Sequence, residues 1–277
     1  MSDFPYSAVL FDLDGTIADS APGITKTLAS TLAQLGEAVP TPAELLEWVG
    51  PPLPESFTRH LGITGDELDH AMALYRGEYL AGGALDSVIF AGMEDLLRRV
   101  HEAGIPISTA TSKPETPATM MLNHFGLSRY LDVITGASDD EKRGAKADVV
   151  EEALARLRAL GVDVSRPVLI GDRHHDVDGA AAHGVPTIFV TWGYGSPAEQ
   201  VGAVAVVDTA DELAELLGLP ASGDADAVPA GSVPTGSVPT GSVPTGSVPT
   251  GSVLTGSVLT GTDDTDAEGV APTANPA

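Results

Sequence analysis

Two carboxylates one residue apart, Asp12 and Asp14, stand at the end of the apolar run Ala8-Val9-Leu10-Phe11 and are followed at once by Gly15. Such a run reads as a buried parallel strand, where charge is costly to bury. Side chains two apart on a strand point the same way, so both acids can serve one site. The plain alternative is a strand that ends in an Asp-Gly turn, but related pieces recur further along. An apolar run at 105–110 is followed by Thr111, Ser112 and Lys113. Another, at 168–170, is followed by Gly171, Asp172 and Asp176, and Lys146 stands at the start of the helical pattern before it. Ligands of open parallel sheets bind beyond the carboxyl ends of the strands, so these groups are expected on one rim.

That set suits phosphoryl transfer. One carboxylate, Asp12, attacks phosphorus and forms an aspartyl-phosphate. The second, Asp14, protonates the leaving oxygen and later activates water. The anions would repel a phosphate unless a cation compensates. Mg²⁺, which favours oxygen ligands from one or two carboxylates plus substrate, is the expected ion, with Asp12 and Asp172 as ligands. Thr111 would donate to a phosphoryl oxygen, Lys146 would balance charge, and Gly15 would let the backbone come close to the phosphoryl group. Plainer readings stand beside these. Lys146 lies near Lys142 and Arg143 in what could be a solvated basic face, with Lys142 the fallback for its role. Thr111 could cap the following helix, leaving its role to Ser112, and Lys113 faces either substrate or solvent. His174 and His175 invite a metal reading, but two neighbouring residues rarely face one ion.

The elements that would position these groups alternate strand and helix. Strands are expected at 8–11, 105–110, 133–135, 168–170 and 187–190, with helices at 93–103, 115–124, 147–160 and 177–183. Gly104, Gly126, Gly161 and Gly184 follow the helix ends, where a left-handed residue is favoured. The alternation implies an α/β fold with a parallel, doubly wound sheet. Between about Asp19 and Val88 the pattern is helical without a convincing strand. Ser20 is expected to cap a helix through Leu35, Thr41-Pro42-Ala43-Glu44 reads as a capping box, and 66–80 is a third helix.

Phe11-Asp12-Leu13-Asp14-Gly15-Thr16, Thr111, Lys146 and Gly171-Asp172-Arg173-His174-His175-Asp176 together resemble the four motifs of the haloacid dehalogenase superfamily, in order and at matching spacing. The resemblance covers nearly all of the first 220 residues. It implies a Rossmann-like core at 1–18 and 89–220 with a small helical cap at 19–88. Gly50-Pro51-Pro52-Leu53 and the Gly-Asp-Arg form of the last motif look closest to the branch that holds phosphoglycolate phosphatases and bacterial 5′-nucleotidase-like enzymes. The resemblance adds the backbone carbonyl of Asp14 to the metal ligands and makes Asp176 the acid that orients the ligands or the lysine. Dehalogenases of the superfamily lack the second acid of the first motif, so Asp14 argues for phosphate chemistry. The phosphonate-cleaving branch needs a Schiff-base lysine in its cap, and here the cap's one lysine, Lys26, stands in an unlike context.

Composition narrows the partners. The formal net charge is −25, and six of the acids lie beyond Ala221, so the first 220 residues carry −19. That argues against a nucleic-acid polymer or an anionic membrane and leaves a small phosphate ester as the expected partner. With no cysteine, disulfides and thiolate metal sites are excluded. No signal peptide or membrane span is evident, so a cytoplasmic protein is expected, and the expected state is a monomer or homodimer. From Ala221 onward there is no Lys, Arg, His or aromatic residue. Four Gly-Ser-Val-Pro-Thr units and two Gly-Ser-Val-Leu-Thr units read as a disordered tail.

Other phosphate-handling patterns fail. An EF-hand would need Asp or Asn at Thr16, Gly at Ile17 and Glu at Gly23. Sugar transferases that hold a nucleotide through Asp-x-Asp place it well inside the chain. No Gly-Lys-Ser/Thr phosphate loop occurs, and Gly193-x-Gly195 is followed by Pro197 instead of a dinucleotide pattern. The expectation is a Mg²⁺-dependent phosphomonoesterase. A phosphosugar mutase with the same core, or a non-catalytic binding protein, are the alternatives.

Overall fold

The computed structural model describes residues 4–140 and 143–220. In chain order the elements are β1 (Ala8–Phe11), β2 (Ala18–Asp19), α1 (Ala21–Leu35), α2 (Pro42–Leu46), α3 (Leu53–Leu61), α4 (Asp66–Ala81), β3 (Val88–Ile89), α5 (Met93–Glu102), β4 (Ile107–Thr109), β5 (Thr111–Pro114), α6 (Glu115–His124), β6 (Gly136–Ala137), α7 (Lys146–Ala159), β7 (Pro167–Gly171), α8 (His174–Ala181), β8 (Thr187–Val190), β9 (Ala205–Val207) and α9 (Ala210–Leu216). Five of the strands form one parallel sheet in the order β4-β1-β7-β8-β9. This is the expected α/β, doubly wound architecture.

β1 lies between β4 and β7 with all four residues buried. Its period-two alternation sends Val9 and Phe11 into an apolar cluster with α5 and α9, and Ala8 and Leu10 into one with α7 and α8. α5 fits the first of these because Met93, Leu96, Leu97 and Val100 recur on one helical face and are buried. α1 to α4 gather around a third cluster, built on Leu28, Leu32, Trp48, Phe57 and Tyr79.

Several local expectations change. The 133–135 strand reduces to a single bridge between Ser108 and Val133, and the paired residues are instead β5 with β6. The Thr109 hydroxyl donates to the Thr135 carbonyl at 2.9 Å, a side chain taking the place of a ladder bond there. β2 and β3 form a short antiparallel pair at the two ends of the inserted helical stretch, where no strand is expected from the sequence. Ser20 does not cap α1 with its side chain. The Ala21 N–H donates to the Asp19 carboxylate (3.2 Å) and the Tyr194 hydroxyl (3.0 Å). The Thr41–Glu44 capping box is formed, and α3, β9 and α9 are added to the expected elements. Among the described residues no helix is long and apolar enough to cross a membrane. The tail reading and Lys142 lie outside the described residues.

Candidate active site

The turn after β1 is drawn tight by one carbonyl. Leu13 C=O accepts from the N–H groups of Thr16 (3.3 Å), Ile17 (3.0 Å) and Ala18 (2.9 Å). Gly15 adopts φ +89°, and a Cβ there would collide with the Asp172 carboxylate. The close approach that requires glycine is therefore to Asp172, so the loops after β1 and β7 interlock.

Asp12 caps the carboxyl end of β1, on the same side of the strand as Leu10 and hence toward α7. Its Oδ1 accepts from Lys146 Nζ at 2.7 Å. Lys146, the first residue of α7, also donates to the Ala110 carbonyl (2.9 Å) and pairs with Asp176 Oδ1 (2.7 Å). It is 7% exposed, which removes the solvated-basic-face reading. Burial pushes the Asp12 carboxyl up to about 6, against the pull of Lys146. Burial acts to lower Lys146, yet Asp12 and Asp176 together hold it above its ordinary value.

Asp14 is held separately. Ser20 Oγ donates to its Oδ1 at 2.5 Å, and Lys113 Nζ donates to its two oxygens at 2.9 and 3.1 Å. Lys113 also donates to the hydroxyl of Tyr79, on α4. Asp172 accepts from Thr16 Oγ1 (3.2 Å) and the Tyr194 N–H (2.7 Å). Burial, and then Asp176 and Asp12, push its carboxyl well above the usual range. Asp176 Oδ2 accepts the N–H groups of Asp172 (3.1 Å) and Arg173 (2.9 Å), which ties it to the loop it is expected to orient.

One carboxylate oxygen each from Asp12, Asp172 and Asp176 lies within 4.8 Å of the others, and all three residues are buried. An all-oxygen donor set in which burial and mutual repulsion raise two of the carboxyls is what a hard divalent cation would fit and relieve.

Thr111 is 1% exposed and its Oγ1 accepts from the Lys113 N–H at 3.2 Å. It does not cap α6, whose N-cap is Pro114. Ser112 and Lys113 line a cavity that reaches Asp14. His174 Nδ1 lies 2.9 Å from Glu199 Oε2, and burial lowers His175 to about 4. Gly193 packs against Asp172, which a Cβ would strike, so this glycine serves the site by its smallness.

Ser20, Tyr79, Tyr194 and Arg173 were missed from the sequence. Ser20 stands where a helix cap would stand, Tyr79 reaches Asp14 only through Lys113, the Tyr194 hydroxyl meets Asp19 across 175 residues, and the Gly-Asp-Arg spelling is the one sequence mark of Arg173. Arg173 Nε donates to Glu199 (2.8 Å) and its Nη1 to the Val49 carbonyl, beside Gly50 at φ +106°. The loop that carries Asp172 is thus pinned to the turn after α2. Burial alone would raise Glu199, but the bonds from Arg173 and His174 hold its carboxyl down at about 2. Its contribution to stability is therefore complete above pH 4.5, its ordinary value, and fades as pH falls toward 2. Glu199→Gln should cost about 1–2 kcal/mol at pH 7, less than the full shift because water reaches the carboxylate. Urea denaturation at pH 7 and pH 3 checks this, and the gap between variant and wild type should shrink at the lower pH.

A family model described as haloacid dehalogenase-like hydrolase matches residues 9–190. The tyrosine-protein kinase PtkA of Mycobacterium tuberculosis (strain ATCC 25618 / H37Rv) is 43% identical over 215 residues, which are 76% of this chain and 72% of that one. A phosphoglycolate phosphatase of Rhodospirillum rubrum is 33% identical over 227 residues, 78% of this chain and 92% of its own. The crystal structure of a predicted phosphatase from Clostridium acetobutylicum superposes with a TM-score of 0.71 at 37% identity, covering 76% of this chain and 97% of that one.

Proposed function

Since the chain belongs to the haloacid dehalogenase-like hydrolase family, we propose that it is a Mg²⁺-dependent phosphomonoesterase that works through an aspartyl-phosphate on Asp12. The observation that carries this is the buried triangle of Asp12, Asp172 and Asp176 locked to Lys146, with Asp14 held apart from it. Two carboxylates in different settings can take different roles.

Lys146 holds Asp12 Oδ1, so we assign the attack to Oδ2. That oxygen forms a bond to phosphorus while the bond from phosphorus to the ester oxygen breaks, and Asp14 supplies the proton that makes the leaving alcohol. Water then attacks phosphorus and gives its proton to Asp14, and the bond to Asp12 breaks. Phosphate is released and both carboxyls return to their starting states. Asp12, Asp172 and the Asp14 carbonyl are the groups proposed to hold Mg²⁺, which when bound would neutralise the phosphoryl charge. Thr111 and Ser112 with the backbone at Gly15 would receive the phosphoryl oxygens, Lys146 would offset their charge, and Asp176 would keep Lys146 and the Asp172 loop in place. The helices at 19–88 form the proposed cap, which would exclude water during the first step. The substrate is a small phosphorylated metabolite, phosphoglycolate-like or nucleoside monophosphate-like.

Phosphate release from an aryl phosphate tests this. Activity should fall to background in EDTA and return with Mg²⁺. Undiminished turnover in EDTA would overturn the proposal.

The name of the mycobacterial relative supports a second reading, in which the same aspartyl-phosphate passes to a tyrosine hydroxyl instead of water. Incubation with Mg²⁺·ATP and detection of phosphotyrosine separates the two. No Gly-Lys-Ser/Thr nucleotide loop is present in the sequence, so hydrolysis is the favoured direction.

A further inference from the structure

The inserted helices and the loops after the strands enclose a cavity of about 500 Å³ that ends at Asp14. Its lining includes Ile24, Leu53, Met72, Tyr75, Tyr79 and Leu80. Tyr75 and Tyr79 stack on each other with ring centres 5.3 Å apart and planes 16° apart, and Lys113 Nζ lies 4.7 Å from the Tyr79 ring centre, so the pair is a fixed part of the wall. Trp48 is fixed edge-on against Phe57 (5.4 Å) and stacked on His60 (4.5 Å). The charges in the lining are lopsided: Asp14, Glu55, Asp139 and Asp148 face Lys113 and Arg76. Lys113 already donates to both Asp14 oxygens and to Tyr79, and Arg76 is also engaged.

Resting on the phosphatase reading above, the geometry points to a substrate whose alcohol is uncharged and carries a ring. A ring placed in the cavity buries apolar area against a preformed lining that includes Leu53, Leu80 and the edge of Tyr75. A carboxylate on the substrate, beside its phosphate, would have to leave water among four acids, and both cations in the lining already have partners. A two-carbon acid would also leave most of the cavity empty and its apolar wall unused. The site therefore favours ring-bearing phosphate monoesters over short carboxylated ones.

The test compares kcat/KM on the full-length protein with Mg²⁺ for four alkyl esters: 2-phenylethyl phosphate, a nucleoside 5′-monophosphate, ethyl phosphate and phosphoglycolate. All four leaving groups are alkyl alcohols, so the contrast falls on the ring and the charge. At least one ring-bearing ester should exceed both ring-free esters by about tenfold or more. In Tyr75→Leu that preference should shrink at least fivefold, through KM. The wild-type comparison decides the matter even if the variant folds poorly. Phosphoglycolate or ethyl phosphate turned over as well as the ring-bearing esters would overturn the inference and leave the phosphatase reading standing. Release from none of the four, nor from an aryl phosphate, would overturn that reading itself.

Discussion

Asp12→Asn will fold as the wild type does and release phosphate at least about 10⁴-fold more slowly. An amide has the shape of the carboxylate but cannot attack phosphorus, so this loss falls on the chemical step. The fold should not suffer, because the carboxylate is held there at a cost. Burial raises its carboxyl from 3.8 to about 6. The folded protein thus binds that proton more tightly than the unfolded chain, and the group's contribution to stability declines as pH rises from 3.8 through 6. Above that range the ionised Asp12 opposes folding, and the variant removes the burden. Its melting temperature in metal-free buffer at pH 8 should equal or exceed that of the wild type. A clear drop would mean that the pairing with Lys146 matters more to the fold than burial does.

Lys146→Met should be damaging on both counts. Nζ lies 2.7 Å from Asp12, 2.7 Å from Asp176 and 2.9 Å from the Ala110 carbonyl, in a side chain that is 5% exposed. Methionine fills similar volume but leaves two buried carboxylates without a counter-charge, at a cost of about 3–5 kcal/mol. Turnover should fall about 10²–10³-fold through lost charge stabilisation. A double-mutant cycle separates the effects. Adding Asp12→Asn should recover part of the stability and none of the activity. Simple additivity of the two stability changes would contradict the shared network.

How much of this was legible depends on where the information lies. β1, α5, α6, α7 and β8 were readable to within a residue or so because their burial pattern is local: a continuous apolar run, or a face repeating every three to four residues. The acids at the strand ends were readable because a buried charge is conspicuous in an apolar context. The partners of Asp14 were not. Ser20 sits where a cap would sit, and only the three-dimensional path of the turn sends its hydroxyl back to Asp14. Tyr79 reaches the site through Lys113, 34 residues away, and Tyr194 reaches Ser20 across 174. β2, β3 and β6 have two residues each and are set by register with a neighbour, which no window of sequence contains. The same holds for the link from Arg173 to the Val49 carbonyl, where one partner is a backbone group with no sequence signature.

The most direct measurement is acid-quenched intact-protein mass spectrometry during turnover, with peptide mapping, on the wild type and on Asp14→Asn. The amide at position 14 cannot activate water, so the covalent species should accumulate when a good leaving group lets the first step proceed. The account predicts a mass increase of one HPO₃ group on the peptide that carries Asp12, released by hydroxylamine and absent from Asp12→Asn. Turnover with no covalent phosphate on that peptide, or with the label on another residue, would contradict it.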